Sequence, residues 1–169
     1  MYHQTLLQFQ NVLRQLHQML GKAQAHADAR KFDSGNYLTA RLAPDMFPLV
    51  RQIQTSCDVA KYTAARLSGR DVPRHEDNEK TLAELQERVQ KTLTVLSEFT
   101  PAEFAESATR HVVLPRMAAG QYMLGQDYLL RFAMPNFYFH VSMAYALLRQ
   151  AGVEIGKRDF LGEMPIQGG

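Results

Sequence analysis

Apolar residues stepped three and four positions apart constrain this chain more than any other feature. Leu6, Leu7, Val12, Leu13, Leu16, Leu20, Ala23 and Ala27 recur with that step. It is the period of a helix with one buried face, and it predicts a first helix from about residue 3 to about residue 29. Gly21 weakens that helix by roughly 1 kcal/mol relative to alanine without ending it. Phe32 to Asn36 carry turn chemistry and read as a loop. Val50, Ile53, Cys57, Ala60, Ala64 and Leu67 mark a second stripe. Pro44 and Asp45 suit a first turn, Pro48 is close enough to that end to be tolerated, and Gly69 suits a stop. The second helix is therefore expected over about 45–68. Leu82, Leu85, Val89, Leu93 and Leu96 give a third, about 78–99, with Asp77 as its cap and Lys80 where a capping box would want Glu.

After Thr100-Pro101 the helical period lapses. His111 to Leu114 and Gln121 to Leu124 are two short β-prone runs around Pro115 and Gly120. They read as a small hairpin, or else as an irregular connection. Asp127 to Met134 reads as a short helix. Pro135 opens a fourth long one, with Phe137, Val141, Ala144, Tyr145 and Leu148 as its stripe and Gly152 as its stop. Four amphipathic helices and a hairpin make an all-α four-helix bundle. At 169 residues it is one domain, 1–169. Residues 154–169 form a C-terminal arm, whose Phe160 and Leu161 need cover from the bundle or from a second subunit. The last residues, Gln167 to Gly169, are expected to fray.

Composition excludes several functions. Cys57 is the only cysteine, which rules out an internal disulfide and a cysteine-rich zinc site. The net charge is +2 with both signs mixed, so neither nucleic acid nor a membrane surface is an expected partner. No apolar run approaches the ~20 residues of a membrane span. A lone thiol and a start without a leader pattern point to the cytoplasm.

His140 lies on the apolar face of the fourth helix, with Phe137 and Ala144. It reads as a metal ligand or general base lining a cavity, or as a core histidine satisfied by a neighbour. Asn136, one turn earlier, stands where a histidine would complete His-x-x-x-His, a spacing that puts two imidazoles on one metal. The second helix carries Gln54, Cys57 and Asp58. Cys57 reads as a small buried hydrophobe. Asp58 reads as half of an ion pair with a bundle arginine such as Arg149, or as an acid, base or metal ligand. His17 faces inward or skirts the core, and the remaining histidines show no metal-like spacing.

The segments RLAPDMFPL at 41–49, Gln54 to Gly69 and above all PNFYFHVSMAYALLRQAGVEIGKRDFLG at 135–162 resemble a bacterial family of unknown function within the DinB/YfiT-like metalloenzyme superfamily. The resemblance covers nearly the whole chain. It implies an up-down-down-up bundle and a homodimer. It also implies a divalent metal, Zn or Ni, held by three histidines in members that act as thiol transferases or isomerases on low-molecular-weight thiols. His140 falls at the second histidine of the helix-4 pair, Asn136 at the first, and helix 2 offers Gln54, Cys57 or Asp58 but no histidine. The expectation is a small-molecule-binding or interaction protein that keeps the bundle with an incomplete ligand set. The alternative is a divergent metal-dependent enzyme using His140 with Asn136, Asp58 or Gln54.

Overall fold

A computed structural model describes residues 1–168; Gly169, one of the residues expected to fray, lies outside it. The helices are α1 (Tyr2–Arg30), α2 (Leu49–Ser68), α3 (Leu82–Ser97), α4 (Met134–Gln150) and a short α5 (Lys157–Leu161). Short 3-10 turns cover Ser34–Tyr37 and Pro101–Phe104. Strands β1 (His111–Val112) and β2 (Met123–Leu124) pair antiparallel, His111 opposite Leu124, as the hairpin reading expects. None of the helices described is long and apolar enough to cross a membrane.

Polar contacts fix the helix directions. Gln10 Nε2 donates to the Leu96 carbonyl and Gln86 Nε2 to the His17 carbonyl, at 3.3 and 3.1 Å, so α1 and α3 are antiparallel. Arg70, just past α2, pairs with Glu98 at the end of α3, while Arg51 near the start of α2 pairs with Asp77 ahead of α3. Hence α2 and α3 run parallel, joined by a crossover at 69–81. His140 meets Gln52 and Tyr128 meets Thr63, which sets α4 and its lead-in antiparallel to α2. The order is up-down-down-up. The core lies along the shared axis, where Phe9 and Phe137 stack at 4.0 Å between centroids, both fully buried. Phe9 holds a core place of the kind the stripe assigned to Leu7, which turns outward.

Three boundaries differ from expectation. α2 begins at Leu49, not near 45. Pro48 disfavours helical backbone at Phe47 and itself serves as an extended N-cap, so Ala43 to Met46 close only a turn. α3 begins at Leu82 because Thr81 and Glu84 form a reciprocal capping box, and Asp77 is spent on Arg51 and Arg88 instead. Pro135 lies in the first turn of α4, as expected, but the helical backbone does not begin there. Helical backbone starts at Gly125 and passes through a π-helix, Tyr128–Ala133, into α4. In a regular α-helix the Pro135 ring would strike the carbonyl of Arg131. The wider π turn relieves that contact, so the expected short helix and the fourth helix are one continuous rod. At its far end Gly152 N–H reaches the Arg149 carbonyl and Val153 N–H the Leu148 carbonyl, with Val153 buried: a Schellman stop.

The arm lies on its own bundle. Asp159 pairs with Lys22, Asn11 donates to the Leu161 carbonyl, and Phe160 packs edge-on against Tyr145.

Gly125 is where the hairpin hands over to the rod. A Cβ there would sit 1.9 Å from the Ser107 carbonyl oxygen. Gly125→Ala should therefore cost at least about 2 kcal/mol in urea denaturation. Gly120→Ala, with nothing within 4 Å of its Cβ, bears only the strain of a positive φ. Equal midpoints for the two variants would show that the handover tolerates displacement.

Candidate functional site

The sequence places two charged residues on buried stripes. Lys61 follows Cys57 by one turn of α2, and Arg88 follows Leu85 by three residues on α3, so both heads turn into the bundle. Arg88 is 2 % exposed and Lys61 fully buried. Burying a cation is costly unless it is paired and hydrogen-bonded, and Arg88 is surrounded accordingly. Its Nη2 reaches Asp58 Oδ1 at 2.9 Å and Asp77 Oδ1 at 3.2 Å. Its Nη1 reaches Glu79 Oε1 at 3.0 Å and the Glu76 carbonyl at 2.9 Å. Gln54 Nε2 donates to the other Glu79 oxygen at 2.8 Å. One guanidinium thus gathers α2 and the crossover onto α3. Asp58 pairs with Arg88 and Lys61; its expected partner Arg149 is exposed and reaches the Val153 carbonyl instead.

His140, on α4, meets another part of α2. Gln52 Nε2 donates to the Phe47 carbonyl at 3.1 Å, which turns Gln52 Oε1 toward the imidazole; Nδ1 of His140 donates to it at 2.7 Å. Phe47 stacks on the ring at 6.1 Å and Phe139 meets it edge-on at 5.2 Å. Burial, and then the Arg51 charge, hold His140 below its ordinary pKa of 6.5. Cys57 is buried, and desolvation pushes its thiol up to about 12. It is inert at neutral pH.

Asp58 and Tyr62 form a shared wall between two cavities. One, about 430 Å³, is largely apolar: Val59, Leu114, Pro115 and Phe132, with Arg66, Arg116 and Asn136 at its edges. The other, about 630 Å³, lies under the crossover and is lined by Arg74, His75, Glu76 and Asp77. Of the residues singled out by sequence, Asn136 and Asp58 share the apolar cavity. His140 pairs with Gln52 and Gln54 with Glu79, so neither joins them. Tyr128 is core, and Phe132 is the aromatic residue of the rod that reaches the cavity wall.

The donor set does not fit a divalent metal. Among the described residues no three His, Cys, Asp or Glu side chains come together as ligands. Asn136 offers only a neutral amide, and Asp58 already meets two cations that would repel a third. Sequence reading overlooked Arg88, Lys61, Glu79 and Gln52, and set His75 aside for want of metal-like spacing. The available signal was a charge on an apolar stripe, as at Lys61 and Arg88.

The profile of the family "Domain of unknown function (DUF1993)" matches residues 1–161. Among solved structures, the chain is similar to a DinB family member protein from Shewanella denitrificans. The two share 44 % identity over 99 % of this chain and 95 % of that one, with a TM-score of 0.95. No functionally curated protein matches it.

Two outcomes follow from the buried groups. Arg88→Ala should destabilise the fold by about 3–5 kcal/mol, because it leaves Glu79 without its counter-charge and Asp58 with Lys61 alone; a loss under 1 kcal/mol in guanidinium denaturation would contradict the central role of the guanidinium. For His140 the folded pKa is depressed, so the unfolded chain takes up a proton first. Stability present above pH 6.5 is then lost as pH falls toward the folded value. His75 is shifted the same way, so the comparison is between wild type and His140→Gln. From pH 7 to 5 the wild type should lose more stability than the variant, and parallel curves would sink the assignment.

Proposed function

The chain belongs to the DUF1993 family, a domain of unknown function, and we propose that it binds a small organic molecule, without a metal, in the groove along α2. The observation that carries this reading is the pair of cavities sharing Asp58 and Tyr62. One end is apolar and the other is charged, as an amphipathic ligand requires. Their sizes fall in the range of about 300–1,000 Å³ usual for ligand pockets. The walls come from three independent pieces of chain: α2, the hairpin loop at Leu114 to Arg116, and the π segment with Asn136 behind it. Phe132 lies in the π segment itself, and π turns concentrate at functional sites.

The metal-dependent alternative draws less support. It needs His140 beside Asn136, Asp58 or Gln54, and His140, Gln54 and Asp58 are each already engaged by a different neighbour. Fold kinship speaks for the scaffold and not for the reaction.

The test is saturation-transfer NMR against a panel of small amphipathic acids, amines and amino acids. It is repeated on Val59→Trp, whose indole fills the apolar end. Wild type should give binders that the variant loses while keeping its helical circular dichroism. Binders retained in full by Val59→Trp would place the site elsewhere. Metal analysis of protein purified without chelator or metal resin accompanies it: stoichiometric divalent metal that disappears in His140→Ala would overturn the metal-free reading.

A further inference from the structure

Two arginines line the apolar cavity, and among the described residues no carboxylate pairs with either of them. Arg66 is held by neutral partners. Its Nη1 donates to the Tyr128 hydroxyl at 3.1 Å. Its guanidinium lies 5.4 Å from the centre of the Tyr62 ring and 5.8 Å from that of Tyr128. Tyr128 is fully buried and also meets Thr63 of α2, so this frame fixes where the guanidinium stands. A guanidinium carries five N–H donors, and the Tyr128 hydroxyl leaves most of those of Arg66 for another acceptor. Arg116 reaches the same cavity from the hairpin loop, beside Leu114 and Pro115.

The charges on this wall restrict what can enter. Its one carboxylate, Asp58, is already met by Lys61 and Arg88, so a ligand ammonium finds no free counter-charge, whereas an anion finds two. Val59, Tyr62 and Arg66 are spaced three and four residues apart, which puts them on one stripe of α2. About 10 Å of helix axis separates the apolar start of that stripe at Val59 from its cationic end, and about 12 Å separates Asp58 from Arg66. An anion on Arg66 therefore stands well away from Asp58. Leu114, Pro115 and Phe132 complete a largely apolar space of about 430 Å³. Such a space suits a molecule with one anionic head and a hydrocarbon body, and a guanidinium suits a carboxylate head, which it can take with two parallel N–H bonds.

We infer that the cavity takes an apolar monocarboxylic acid, its carboxylate on Arg66 and Arg116 and its hydrocarbon body against Val59, Leu114 and Phe132. The inference rests on the proposed groove for its position and adds the class of ligand.

Calorimetry tests it with octanoate and 3-phenylpropionate, their amides, and the amines octylamine and 3-phenylpropylamine. At least one acid should bind about tenfold more tightly than its amide and its amine, because only the acid makes the charge-assisted contacts. Arg66→Met and Arg116→Met should each weaken that acid by about fivefold or more and leave the amide unchanged, and Val59→Trp should abolish its binding. Circular dichroism checks the variants, and if Arg66→Met fails to fold, Arg116→Met on the loop decides together with the wild-type series. An amide or amine that binds as tightly as its acid, or an acid unmoved by both arginine variants, overturns the carboxylate assignment while leaving the groove intact. Tighter binding of phenyl phosphate than of either acid also overturns it, in favour of a phosphate ester. Binding of other panel members without either acid does the same to the acid alone. No binding by any compound of either set overturns the groove as well.

Discussion

The Arg88 guanidinium is the interaction on which the rest of the structure depends. α2 and α3 run parallel, so no short turn can join them, and the chain must return along the bundle through a polar crossover with little apolar surface to bury. Arg88 supplies the hold that hydrophobic packing cannot. It donates to Asp58 from α2 and to the Glu76 carbonyl, Asp77 and Glu79 from the crossover, all from one planar group. Guanidinium geometry suits this task, since its fixed donors fork toward several carboxylates at once, which an ammonium cannot do. A buried ion network of this kind seldom adds net stability over a well-packed apolar core, and its use is to select one arrangement. Here it selects the register of α2 against α3, and with it the position of Asp58 and Tyr62.

Most of the fold was legible in sequence. The stripes on α1, α2, α3 and α4 lie where the three-and-four step puts them, and the hairpin forms where two β-prone runs flank Pro115 and Gly120. Two of the misplaced ends share one cause, the reading of proline, while the α3 start moved to the Thr81 and Glu84 capping box. Pro44 and Pro135 both looked like helix starts. In the folded chain Pro48 blocks the turn that Pro44 would have begun, and Pro135 is absorbed by a π turn. Proline's effect depends on which carbonyl lies four residues back and whether the helix can widen there, and local spacing does not report either.

The site was less legible, and the reason is physical. His140 drew attention because it is the conspicuous titratable group on an apolar face, and its partner turns out to be the neutral Gln52. Asp58, which lines both cavities and pairs with the buried Lys61, becomes meaningful only when Arg88 arrives from α3 and the crossover closes above it. Gln54 and Asp58 were both singled out, and one turn apart on α2 they meet the same Arg88 network, Gln54 through Glu79 and Asp58 directly. Cys57 was read as a small hydrophobe, and its burial with a thiol pushed up to about 12 agrees.

The up-down-down-up order also bears on how the chain assembles. Its main pairings are α1 with α3, α2 with α3, and α2 with α4. No helix has an antiparallel hairpin partner immediately next to it in sequence as its principal contact. Folding must therefore close long loops before any stripe is covered, which raises contact order and slows the search relative to a simple up-down bundle. During synthesis α1 emerges with its apolar face bare until α3 has followed, and α2 waits for the last long helix. A chain wired this way spends the time of its own translation in a form that other hydrophobic surfaces can capture.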